Sequence, residues 1–305
     1  MTARSAPAPQ HPYARRLAEL PATRHEVAVL DGTTAYWEYG PADAETTLVL
    51  VHGFRGDHHG LEPVVVELPG IRILSPDLPG FGETGPLPGR EHTIDAYAQW
   101  LTAFAAAVAP GAPVLGHSFG SIVTAVAVAG GLDTPRVILV NPIGAPALEG
   151  PRGILTRLAV FYYWAGAKLP RRIGEWLLRT RLVVRVMSIS MAKTRDRDRR
   201  AFIHEQHDAY FSRFADRDVL HEAFVASVSN DVRASAPHIA QPTLLIAAEK
   251  DDITPIEAER VLQTMFPRAE LVEIPAVGHL IHYETPEPAA AAIRRFLAPS
   301  DGGRR

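Results

Sequence analysis

The run Pro113–Gly130, PVLGHSFGSIVTAVAVAG, restricts the fold of this chain more than any other stretch. Apolar and small residues lead into Gly116-His117-Ser118-Phe119-Gly120, and a proline-free run rich in Ala and Val follows. That pattern reads as a buried strand, a tight turn and a buried helix. A serine on such a turn sits in a strained backbone conformation with its hydroxyl raised above the sheet. The turn brings residues 116 and 120 so close that neither has room for a Cβ, which explains a glycine at both. The N–H of Phe119 opens the helix and points to where negative charge would develop on a reacting oxygen. Gly-x-Ser-x-Gly in this context makes Ser118 a candidate nucleophile.

Composition narrows the chemistry. The chain has 305 residues, 47% apolar and 21% charged, as expected of one large α/β domain or one carrying an insertion. A net charge of −3 provides no overall attraction for nucleic acid. Cysteine is absent, which excludes disulfides, a thiol nucleophile and thiolate metal sites. The N-terminal MTARSAPAPQHPYARRL lacks the apolar core of a secretory signal, and no run reaches the length of a membrane span. The expectation is a cytoplasmic protein.

Residues 1–20, rich in Ala, Pro and Arg, read as a flexible arm. Arg24–Leu30 and Thr33–Tyr39 flank Asp31-Gly32, which predicts a hairpin turning on those two residues. Thr47–His52 is a continuous apolar run, the signature of a strand buried on both faces. Ile71–Asp77 predicts the next strand, Ile94–Val108 a helix, and Arg136–Val140 a strand after the serine turn. Strands alternating with helices imply a mostly parallel central sheet with helices on both faces. From residue 144 to 235 no strand-like run occurs, and Ile154–Lys168 and Arg171–Met191 have helical spacing. Alternation returns at Thr243–Ala247 and Glu270–Ile274, and Pro286–Leu297 predicts a last helix before a tail, PSDGGRR, that reads as disordered. The predicted organisation is an α/β core, residues 21–143 and 236–298, interrupted by an all-helical cap over 144–235.

With these marks in order, the chain resembles the α/β-hydrolase superfamily. They are His52-Gly53 after a strand, Asp77-x-x-Gly80-x-Gly82, the Gly116–Gly120 turn, Asp251 with Pro255, and Gly278-His279 after the last strand. The resemblance implies a serine hydrolase in which Ser118, His279 and Asp251 act together, in the superfamily's chain order. A serine hydroxyl needs a base within hydrogen-bond reach, and among 13 histidines position favours His279. The carboxylate that fixes its tautomer is expected at Asp251 rather than the adjacent Asp252, because the family pattern has proline four residues on. Ala248 stands where the pattern has glycine, and Asn141 stands where some relatives carry the acid. The oxyanion hole is expected from the amides of Phe54 and Phe119. His52 is expected to brace the Phe54 loop, His117 to pack locally, and Asp77 to be structural.

A serine nucleophile favours acyl chemistry: hydrolysis of a carboxylic ester on a small or apolar acyl substrate. The alternatives are a C–C bond hydrolase or acyltransferase of the same fold, a membrane-surface lipid hydrolase, and a non-catalytic ligand-sensing member. Leu280, not an aromatic residue, follows His279, which disfavours C–C cleavage. Candidate substrate contacts are Arg55, Leu280, Tyr162 and Trp164. No cofactor and no metal is expected; His204 and His207 are helix neighbours without further ligands. The cap is unusual in charge. Between Pro151 and Arg200 stand 13 Lys and Arg against 3 Asp and Glu, interleaved with Phe161, Tyr162, Tyr163, Trp164 and Trp176. Basic stretches with interleaved aromatics suit peripheral contact with an anionic membrane.

Overall fold

The computed structural model describes residues 13–145 and 153–298. Eight strands form one sheet: Ala22–Val29 (β1), Gly32–Tyr39 (β2), Thr47–Val51 (β3), Arg72–Pro76 (β4), Val114–His117 (β5), Val137–Val140 (β6), Thr243–Ala248 (β7) and Ala269–Ile274 (β8). Their order is β1-β2-β4-β3-β5-β6-β7-β8. The β1–β2 and β2–β4 pairs are antiparallel and all others parallel. Chain order runs outward in opposite directions from β3 and β5, so the sheet has its switch point between them, and ligands of open α/β sheets bind at the carboxyl ends there.

Alternation along each central strand divides the core. Val49 and Val51 of β3, Val114 of β5 and Leu139 of β6 pack on one face, under Ile94–Val108 (α3) and Phe119–Ala129 (α4). Leu48, Leu50, Leu115 and Ile138 pack on the other, under Glu62–Val66 (α2) and Pro286–Leu297 (α12). Both faces are apolar because both are covered. The remaining core helices are Ala14–Ala18 (α1), Ile256–Met265 (α10) and Ile281–Glu284 (α11).

Among the described residues, five α-helices lie between β6 and β7: Gly153–Lys168 (α5), Arg171–Arg179 (α6), Arg181–Met191 (α7), Arg197–Tyr210 (α8) and Arg217–Val228 (α9). Asp196 and Asp216 cap α8 and α9 through side-chain oxygens that accept backbone N–H groups, so the first acidic residue of the RDRDRR run has a structural use. The cap is fastened to the core. His92 donates through its backbone and ring nitrogens to Glu222, and Glu284 accepts the amides of Lys193 and Thr194.

Three local expectations change. The hairpin turns on Leu30 and Asp31, both at positive φ (47° and 65°), one residue earlier than Asp31-Gly32. Gly32 instead pairs with Val29, and its missing side chain makes room for Pro88. The predicted helix Arg171–Met191 divides at Thr180, whose hydroxyl donates to Trp176 O at 2.6 Å and so competes with the helical ladder. The reading of 1–20 as a flexible arm is corrected from residue 13 onward. Tyr13 is buried and donates to Glu287 at 2.7 Å, and α1 follows it. Residues 1–12 and the PSDGGRR tail lie outside the described residues.

The serine turn is the tightest crossing in the core. A Cβ at Gly116 would lie 2.3 Å from Gly120 O, and one at Gly120 would lie 2.3 Å from Val51 O. Both obstacles are backbone and cannot rotate aside. Gly120→Ala is therefore expected to lower the unfolding free energy by at least about 3 kcal/mol, or to prevent soluble expression. Chemical denaturation against Gly130→Ala, whose nearest neighbour would be 3.1 Å away, checks this.

Candidate active site

Ser118 follows β5 at φ 53° and ψ −118°, a left-handed conformation that a non-glycine residue keeps only when its surroundings impose it. Here the Ser118 amide donates to Val140 O at 3.0 Å, and Ser118 O accepts from the Ser121 amide at 2.8 Å and hydroxyl at 2.5 Å. The Ser118 hydroxyl lies 2.7 Å from His279 Nε2, and His279 Nδ1 lies 2.7 Å from Asp251 Oδ2. A carboxylate only accepts, so Nδ1 carries the proton and Nε2 presents a lone pair to the hydroxyl. Asp251 Oδ1 accepts the Ile253 amide at 2.7 Å, which holds the carboxylate in place. Asp252 points elsewhere and pairs with Lys193 of the cap.

His279 is almost fully buried. Its carbonyl accepts from Asn141 Nδ2 at 2.6 Å. Asn141 thus anchors the histidine loop through the backbone, a role that nothing in its sequence position signalled. Three further histidines line the same space, His52, His117 and His282. Burial, and then the neighbouring His279, push the His117 imidazole down to about 3. Burial, and then His117, hold His282 well below the ordinary range. Both are neutral near pH 7, so neither places a positive charge beside His279.

Phe54 and Phe119, the residues expected to supply the oxyanion amides, stand in the loop after β3 and at the start of α4, with their rings 6.4 Å apart. Phe119 is the first residue of α4, so its N–H has no acceptor within the helix. Among the described residues no hydrogen bond engages the Phe54 amide. The loop carrying Phe54 crosses directly over the serine: a Cβ on Gly53 would lie 3.3 Å from Ser118 Cβ. His52 braces that loop. Its Nε2 accepts the Leu78 amide at 2.8 Å, so its Nδ1–H donates to Gly53 O at 2.8 Å. Asp77 accepts from the His58 amide and ring and from the Glu83 amide, each at 2.8 Å, tying the two loops together.

A cavity of about 330 Å³ opens over Ser118 and His279. Phe54, Phe211, Phe224, Met187, Met191 and Leu280 supply much of its apolar wall. Of the residues singled out as substrate contacts, Leu280 lines this cavity. Trp164 and Tyr162 are corrections, since neither reaches it. Trp164 is 50% exposed on the outside of the cap, and the Tyr162 hydroxyl donates to Leu177 O at 3.2 Å. Arg55 borders the cavity, but its guanidinium is taken up by the cap. It donates to Phe211 O at 2.9 Å, to the Tyr163 hydroxyl at 3.2 Å and to Leu178 O at 2.8 Å. The residue next to Phe54 is therefore a clamp between the serine loop and three cap segments.

Residues 48–292 match the alpha/beta hydrolase family. The chain belongs to it. Among relatives of this hydrolase, the uncharacterized hydrolase YugF of Bacillus subtilis (strain 168) is 24% identical over 281 residues, 88% of this chain and 96% of the relative. The pimeloyl-[acyl-carrier protein] methyl ester esterase of Stenotrophomonas maltophilia (strain K279a) is 28% identical over 265 residues, 84% of this chain and 95% of the relative. In fold, the hydrolase is similar to the crystal structure of the enol-lactonase from Burkholderia xenovorans LB400, with TM-score 0.74 and 19% identity over 90% of this chain and 100% of that one.

Removing the Arg55 guanidinium leaves two buried carbonyls and a tyrosine hydroxyl without their donor. Arg55→Met is expected to cost about 3 kcal/mol, and Arg55→Lys, which cannot reproduce the fork, most of that. Thermal and urea unfolding of both variants check it.

Glu259 is buried beside Asp251 without a cationic partner among the described residues. Burial, and then the Asp251 charge, push its carboxyl well above the ordinary range. Above about pH 4.5 the unfolded chain releases this proton while the folded hydrolase keeps it, so stability falls as pH rises. Glu259→Gln removes the penalty. Its stability advantage is expected to be absent below that pH and to grow by about 1.4 kcal/mol per pH unit above it, until the folded carboxyl ionises. Urea denaturation across pH, wild type against variant, measures this.

Proposed function

We propose that this alpha/beta hydrolase is a serine esterase that cleaves carboxylic esters through an acyl-enzyme on Ser118. The observation that carries the reading is the unbroken relay Ser118 Oγ, His279 Nε2, His279 Nδ1, Asp251 Oδ2, with 2.7 Å at each step, beneath an apolar cavity. His279 takes the hydroxyl proton as Ser118 attacks the carbonyl carbon. The amides of Phe54 and Phe119 hold the oxyanion, each at a typical value of ~3 kcal/mol of transition-state stabilisation. His279 then protonates the leaving alkoxide. A water, deprotonated by the same nitrogen, releases the acid and restores the serine. Asp251 keeps the imidazole in the required tautomer and stabilises its charged form.

The esterase among the relatives supports ester chemistry for this chain. The apolar wall favours an uncharged acyl group, and with the Arg55 guanidinium committed to the cap, selection of an anionic substrate by that residue has no support. A cavity of about 330 Å³ stands at the small end of ligand pockets, which favours short and medium acyl chains.

Hydrolysis of p-nitrophenyl esters from acetyl to palmitoyl tests the reading. The expected profile peaks at short or medium chains. Ser118→Ala is expected to lower kcat by roughly 10⁴-fold or more, and Asp251→Asn by a comparable factor, with Asp252→Asn within about tenfold of wild type. Unchanged turnover in Ser118→Ala, or greater damage from Asp252→Asn than from Asp251→Asn, would overturn the assignment.

A further inference from the structure

The cap helices α5 and α7 carry apolar residues toward the cavity and toward solvent. The inner surface of the cap roofs the cavity through Ala159 of α5 and Met187 and Met191 of α7. Its outer surface is apolar as well. Ten of the thirteen large apolar side chains that the described residues expose lie between Leu158 and Ile189. Scattered exposed apolar residues are ordinary, whereas such a concentration marks an interaction surface.

The exposed residues fall at helical spacing on three consecutive helices. On α5 they are Leu158, Phe161 and Trp164, with the last two rings 5.9 Å apart. On α6, Ile173 and Trp176 follow the same rule, and Trp176 is 67% exposed. On α7, Leu182, Val186 and Ile189 do so, with Leu182 71% exposed. Each helix therefore turns one apolar stripe into the molecule and a second outward.

Charge identifies what covers this surface. Between Gly153 and Met191 the chain has seven Arg and Lys against the single Glu175. Arg171 pairs with Glu175 and Arg185 with Asp208, while Arg179 donates to the carbonyls of Ser212 and Phe214. Among the described residues, Arg157, Lys168, Arg172 and Arg181 form no ion pair. A second copy seated on this face would bring like charges together. An anionic bilayer surface presents negative headgroups to the cations and an acyl boundary to the tryptophan, phenylalanine and leucine side chains. No described helix is long and apolar enough to cross a membrane, so the contact lies in the interfacial plane.

We propose that the outer face of α5, α6 and α7 docks this hydrolase onto an anionic bilayer surface. The cavity lining includes exposed Ser190, which follows Ile189 at the end of the docking face. Docking therefore brings this edge of the cavity lining toward the lipid boundary. The docking itself does not depend on the esterase reading, and Ser118→Ala binds as wild type does.

The test is co-sedimentation of the full chain with vesicles of phosphatidylcholine alone and of phosphatidylcholine mixed with phosphatidylglycerol, at low and high salt. Binding to the mixed vesicles, weakened by salt and at least about tenfold weaker with phosphatidylcholine alone, is expected. The triple variant Phe161→Ser, Trp176→Ser, Leu182→Ser and the triple variant Lys168→Gln, Arg172→Gln, Arg181→Gln each lose about tenfold or more in partitioning. Both keep wild-type circular dichroism and wild-type hydrolysis of a soluble short-chain ester, because every substituted side chain is outside the cavity. Failure of the wild type to sediment with the mixed vesicles overturns the proposal. So does binding that both triple variants retain, or a wild-type dimer in gel filtration that the serine variant converts to monomer without a change in vesicle binding.

Discussion

Three backbone segments cross within van der Waals contact where β3 and β5 end, and the rest of the site depends on that crossing. Gly120 lies against the carbonyls of Val51 and His52, and Gly116 against Gly120. The close approach lets α4 begin directly beneath the serine and forces Ser118 into a left-handed conformation. The same approach brings the loop after β3 over the serine, so one packing constraint sets the nucleophile, the N-terminus of α4 and the Phe54 amide in a common frame. The strain at Ser118 is offset by the hydrogen bonds that hold its neighbours, from Val140 O on one side to Ser121 on the other.

Around that frame the molecule manages charge by burial. His52, His117 and His282 are buried and all three are shifted toward the neutral form, with burial the first cause in each. Glu259 is shifted toward its neutral form by burial and by Asp251. His279, within hydrogen-bond distance of Ser118, is oriented by Asp251 on one nitrogen and by Asn141 through its carbonyl. A low-polarity surrounding strengthens that pairing for the same reason that it penalises an isolated charge.

The cap answers to different physics. It is joined to the core by a few directional bonds, of which the Arg55 fork is the most buried, and it is apolar on both surfaces. A roof built in this way couples the loop beside the serine to whatever the outer surface contacts. The cavity roof and the proposed docking surface thus share α5 and α7, and the esterase reading and the docking surface remain separable by experiment.

The alternation of strands and helices, the place of the serine turn, and the order of Ser118, Asp251 and His279 were legible in the chain because they are local properties: period, glycine demand and strand ends. So was the helical character of the cap, apart from the break at Thr180, where a side-chain hydroxyl competes with the ladder. The orientation of the cap helices was not legible. Tyr162 and Trp164 share a helix whose two faces are both apolar, and periodicity cannot say which face turns inward. Nor does composition reveal that Arg55 is buried, since a guanidinium goes inside only when distant carbonyls, here those of Phe211 and Leu178, converge on it. Sequence by itself determined the family and the strand ends at which its motif residues stand. Tertiary structure alone decided which helix face roofs the cavity and, among the described residues, which cap arginines form no ion pair, because those outcomes depend on contacts between residues far apart in the chain.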